Sequence, residues 1–141
     1  PGVYVTINKP CQVLADKFEK LNIDSRLIIF IDAVTQRDQA DVQKLKKCSL
    51  IGNPERLSDI SVAIEQAVRS LDNIPEKFLF FDSLATLMIY NEKNTVARFG
   101  HFLTSKMREW RLKGVLVSIQ KKDDKEFIDE LTQFCDAKVV V

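Results

Sequence analysis

Runs that are apolar at nearly every position recur through this chain: Val3 to Ile7, Leu27 to Ile31, Phe78 to Phe81 and Val115 to Ile119. None shows the every-second-residue alternation of a strand with one wet face, and each is too short for a buried helix. Such runs belong to strands covered on both sides. A chain built from them needs helices above and below one sheet.

The intervening segments supply those helices. After Pro10, Val13, Leu14, Phe18 and Leu21 recur at helical spacing. Asn53-Pro54 reads as a helix start, and Leu57, Ile60, Ile64, Val68 and Leu71 then mark one face. From about Asn94, Val96, Phe99, Leu103, Met107 and Trp110 form another stripe, with Gly114 closing the connection. Asp123 or Asp124 is placed to cap a last helix carrying Phe127, Ile128, Leu131 and Phe134. A short strand is expected near Leu50-Ile51 and a final one over Lys138 to Val141. Thr35 to Lys47 is polar and reads as a long connection or a marginal helix. Strands alternating with helices predict a three-layer α/β fold with a mainly parallel sheet. At 141 residues the chain makes one domain, residues 1–141.

Composition excludes more than it selects. A net charge of +1 offers no electrostatic case for nucleic acid. No apolar run has the roughly 18–20 residues of a membrane span. His101 is the only histidine, and Cys11, Cys48 and Cys135 are scattered without a CxxC pair. Zinc ligation, a Cys-His nucleophile and disulfides are therefore not expected, and a reduced cytoplasmic setting is. The opening Pro-Gly-Val-Tyr-Val without Met, and the close inside an expected strand, suggest a piece of something longer.

In a doubly wound sheet, ligands sit beyond the carboxyl ends of the strands. Here those ends read Ile7-Asn8-Lys9, Ile31-Asp32, Phe81-Asp82-Ser83 and Ile119-Gln120-Lys121. From Phe78 the chain runs Phe-Leu-Phe-Phe-Asp-Ser-Leu-Ala-Thr-Leu. This resembles the Walker B segment of the RecA/KaiC superfamily of ATPases, an apolar strand followed by Asp-Ser, an apolar residue, two small residues and Leu. Val3-Tyr4-Val5-Thr6 before Pro10, Val96-Ala97-Arg98-Phe99 in a helix and Gly114-Val115-Leu116-Val117-Ser118 in a strand follow the same family order. The resemblance implies a RecA-like core, incomplete at its N-terminus. It implies Asp82 as the carboxylate that holds the waters of a nucleotide-bound magnesium ion, with Ser83 beside it. It also implies Asn8 after the first strand and Gln120 at the γ-phosphate sensor position, and self-association or a protein partner.

Two departures shape the functional expectation. Triphosphate binding requires a GxxxxGK[ST] loop. Gly2, Gly52, Gly100 and Gly114 form none, so in the family's order that loop would precede Pro1. The family places acidic residues directly after the first strand, a glutamate in the RecA relatives, to activate water. This chain has Asn8-Lys9, and an amide cannot accept that proton. The expectation is a degenerate, non-hydrolytic ATPase-fold domain with a regulatory or assembly role. The alternatives are an active ATPase whose loop lies upstream, using ATP and magnesium, and an interaction module without a nucleotide site. A strand missing from the sheet would leave a slot to be filled. Asp82 also has a plainer reading as the cap of a helix near Leu84. Asp32, Asp82 and Lys121 invite comparison with a phospho-acceptor receiver domain, whose acidic pair Asn8-Lys9 again fails to supply.

Overall fold

The computed structural model describes residues 1–36 and 47–141, so most of the polar stretch from Thr35 to Lys47, with Lys44 and Lys46, lies outside the described residues. Strands β1 (Gly2–Thr6), β2 (Ile28–Asp32), β3 (Cys48–Leu50), β4 (Phe78–Asp82) and β5 (Lys113–Val117) pair in the order β3-β2-β1-β4-β5. Every pairing is parallel. The helices are α1 (Cys11–Lys20), α2 (Leu57–Arg69), α3 (Leu84–Tyr90), α4 (Lys93–Glu109) and α5 (Lys125–Thr132).

Successive side chains of a strand point to opposite faces, and cross-strand partners share a face. Val3, Val5, Ile31, Leu79 and Phe81 form one core face with Ile60 and Ile64 of α2, Val96 and Leu103 of α4, and Phe127 and Leu131 of α5. Tyr4, Ile28 and Phe30 meet Cys11 and Leu14 of α1 on the other. The architecture is a three-layer α/β fold with helices on both faces. Burying each large side chain of this core contributes on the order of 1.5–3 kcal/mol.

Cover over the α1 face is uneven. Phe78 and Phe80 are only half-buried there, and Val115, paired with Phe80, is 51% exposed. The five strands pair without an interior gap, and among the described residues no strand lies on the outer side of β5. The final strand expected over Lys138 to Val141 does not form, and Val139 is 84% exposed. A β-branched run makes a strand only where a ladder partner stands beside it.

Local chemistry explains smaller departures. Asn53 accepts from the Glu55 N–H at 2.8 Å, so Asn53-Pro54 makes a turn and α2 starts at Leu57. Arg111, at φ 55°, ends the α4 connection. Gly114 instead lies within β5, where an added Cβ would fall 2.1 Å from Met107 Sδ. Asp124 stands at the α5 cap position, but its carboxylate pairs with Lys93 at 2.8 Å.

The expectation of no disulfide is overturned: Cys11 and Cys48 are bonded, with Cα atoms 6.7 Å apart. Their separation of 37 residues hides the pairing from any local pattern. It arises in three dimensions, because β3 pairs with β2 and sets Cys48 opposite Phe30, on the face that α1 covers. No helix among the described residues is long and apolar enough to cross a membrane.

Candidate functional site

The strand order places the topological switch point between β1 and β4, since the chain builds outward through β2 and β3 and then crosses to β4. Ligand crevices of doubly wound sheets lie at such points. The register aligns Asp32, Thr6 and Asp82 in one row at the carboxyl ends of β2, β1 and β4, all on the α1 face.

Asp82 closes an interior strand. Its carboxylate is already engaged. Tyr4 Oη donates to Oδ2 at 2.9 Å and Asn8 Nδ2 donates to Oδ1 at 2.6 Å. Thr86 Oγ1 donates to Asn8 Oδ1, and lies 2.9 Å from Ser83 Oγ. The Asp82–Ser83 peptide bond is cis. Asp82, Ser83 and Asn8 thus form one network across the switch point, joined by Tyr4 and Thr86. Gln120 is exposed beyond β5 and is not among the hydrogen-bond partners of Asp82.

The cap of α3 is Ser83, whose Oγ accepts from the Thr86 N–H at 3.2 Å. Asp82 therefore does not perform the plainer role considered for it. An ionised carboxylate has about four lone-pair sites, so Asp82 retains acceptor capacity beyond its contacts with Tyr4 and Asn8. A lone carboxylate suits water-mediated contact with a hydrated magnesium ion better than direct enclosure of a bare one. Burial, then the hydrogen bond to Asp82 and its negative charge, pushes the Tyr4 phenol well above its ordinary range. Tyr4 is thereby a fixed donor at neutral pH.

Asp32 behaves differently. It is fully buried and accepts from the N–H groups of Cys11, Val34 and Thr35 and from Thr35 Oγ1, at 2.7–2.8 Å. These bonds hold the start of α1 against the loop after β2 and leave no accessible oxygen for a phospho-acceptor role. Thr6 Oγ1, also buried, donates to the Lys9 carbonyl at 2.7 Å and accepts from its N–H at 3.1 Å, which closes the turn carrying Asn8.

A cleft of about 920 Å³ opens at the same edge, lined by Ile7, Asn8, Val34, Gly52, Arg56 and Tyr90 among others. It lies beyond the ends of β1, β2 and β3, is bordered by Asn8 and by Thr86 and Tyr90 of α3, and is not lined by Asp82 or Gln120. Elsewhere the chemistry is quiet. His101 stacks on Phe134 at 4.2 Å, and burial, followed by Asp136, pushes the Cys135 thiol upward. Lys47 donates to the Arg26 carbonyl.

Sequence reasoning missed Tyr4 and Thr86. The signal for Tyr4 was a hydroxyl within a buried strand, which demands an acceptor. The signal for Thr86 was a hydroxyl one helical turn after Ser83. Comparison with curated proteins finds no match. The sequence pattern of a family of unknown function, DUF7504, matches residues 3–141. The chain therefore belongs to the DUF7504 family.

Proposed function

We propose that this domain is a degenerate RecA/KaiC-like ATPase fold that does not hydrolyse ATP and acts in regulation or assembly. The observation that carries the reading is the 2.6 Å contact between Asn8 and Asp82. In the resemblance, the position after the first strand holds an acid that takes a proton from water. Here an amide stands there and spends its N–H on the carboxylate that would hold the metal's waters. That arrangement keeps an ordered carboxyl edge and supplies no general base. Calorimetric titration with ATP and magnesium, paired with a phosphate-release assay, tests it. Absence of phosphate release, with nucleotide binding no stronger than a chain without the phosphate loop allows, supports the reading, and sustained phosphate release by this chain refutes it.

The open flank of β5 favours one second reading, an ATP-binding core completed by a phosphate-loop strand from upstream of Pro1. Such a strand between β5 and the Lys138–Val141 run would give both a ladder partner, and its helix would cover Phe78, Phe80 and Val115. A GxxxxGK[ST] segment in the parent reading frame, with nucleotide binding restored on extension, would favour this second reading. An extended chain that binds nucleotide no better than this one would remove it.

A further inference from the structure

The Cys11–Cys48 bond joins the first residue of α1 to the first residue of β3. Cys11 follows the carboxyl end of β1, and Cys48 lies two residues before the carboxyl end of β3. The Cys11 N–H donates to Asp32, and that carboxylate also holds Val34 and Thr35. β3 is a three-residue edge strand whose ladder partner is β2. Its continuation, Ile51, Gly52 and Asn53, forms one wall of the cleft, and Ala33 and Val34 after β2 form the adjoining wall. The sulfur–sulfur bond therefore fastens the cleft's outer wall to the helix layer.

Both sulfurs and the Asp32 carboxylate lie within 4.8 Å of one another, the spacing of a cation site. Asp32 speaks against that use. Its oxygens together accept four hydrogen bonds, so it has nothing left to offer a cation. The cluster is organised around the two sulfurs.

We propose that the Cys11–Cys48 bond is a redox-cleavable tie that sets the position of β3 and with it the outer wall of the cleft. Cys48 is half-buried and Cys11 is buried, so an incoming thiolate meets Cys48 Sγ first. A dithiol reductant forms a mixed disulfide there and expels the Cys11 sulfur. Its second thiol then releases Cys48. Two electrons and two protons pass to the cysteines, and the reductant leaves as its own disulfide. Freed, β3 loses its anchor to α1 and is held by its ladder to β2 alone, so that short ladder opens locally more often while the interior strands remain paired.

Hydrogen exchange on the full chain tests this in a Cys135→Ser background, which removes the third thiol. Reduction by dithiothreitol is expected to speed exchange over residues 48–53 by at least about tenfold and to leave β1 and β4 unchanged. A Cys11→Ser/Cys48→Ser variant should exchange like the reduced protein in either buffer. Three results would overturn the proposal: unchanged exchange at β3 on reduction, loss of protection in β1 and β4 as well, or alkylation showing both thiols free in protein purified without reductant. The second would make the bond a general staple, and the third would mean it does not form.

Discussion

Replacing Asp82 with alanine removes the acceptor of two hydrogen bonds at once. Tyr4 is only 9% exposed, its ring is held among Phe18, Phe30 and Phe80, and its hydroxyl meets Asp82. Stranding that donor costs about 1–3 kcal/mol. Asn8 is exposed, so its amide turns to water and adds at most about 0.5 kcal/mol. The expected loss is therefore about 1–3.5 kcal/mol, read as a lower urea midpoint with an unchanged slope. Asp82→Asn should cost less, because its oxygen still serves one donor.

Tyr4→Phe supplies the control. In that background no buried hydroxyl is stranded, so Asp82→Ala should cost less, by a coupling of about 1–2 kcal/mol in a double-mutant cycle. A different outcome would refute the reasoning. Were Asp82→Ala neutral or stabilising within about 0.5 kcal/mol, the carboxylate would be held at a cost to the fold, as a group kept for ligand binding is. The Tyr4 and Asn8 contacts would then contribute nothing to stability.

Other perturbations follow from the same contacts. Because Tyr4 holds its proton above the ordinary phenol range, the unfolded chain releases it first, above about pH 10. Stability should thus be insensitive to this group below that pH and fall as pH rises beyond it; urea midpoints across the alkaline range should lose that slope in Tyr4→Phe. Asp32→Ala strands the buried donors of Cys11, Val34 and Thr35 and should cost about 3–5 kcal/mol, more than Asp82→Ala, in the same unfolding assay. Gly52→Ala forces a side chain into a φ of 77° and should lower stability by about 1 kcal/mol, seen as a shift in thermal midpoint. Asn8→Asp sets a second carboxylate against Asp82; stability should fall by about 1–2 kcal/mol at neutral pH and recover on acidification, as one of the pair takes up a proton.

Much of the layered fold was legible because its signals are local. The runs ending at Asp32 and Asp82 announce strands without a wet face, and stripes such as Ile60, Ile64 and Val68 announce the helices that cover them. The candidate site was legible to the same depth. Asp82, Ser83 and Asn8 could be nominated because each stands at a strand end, and strand ends of a parallel sheet share one edge. What stayed hidden depends on which strands become neighbours. The Tyr4–Asp82 bond spans 78 residues, and it exists because β4 pairs with β1. The Cys11–Cys48 bond exists because β3 pairs with β2. Lys138 to Val141 failed as a strand for the converse reason, since its β-branched run has no ladder beside it.

The carboxylate at the end of β4 is thus answered twice by the same geometry. As structure, it receives the Tyr4 hydroxyl that an all-apolar strand end would leave stranded, and it ties the turn after β1 to the start of α3 through Asn8 and Thr86. As chemistry, it remains at the switch point with unused lone pairs, beside an amide where hydrolysis would need an acid. An amide at position 8 spares the edge the repulsion that two carboxylates at this distance would bring, whereas losing Asp82 would cost the bond to Tyr4. That asymmetry makes Asn8→Asp more informative than any truncation: the substitution should add charge to the edge at a measurable loss of stability.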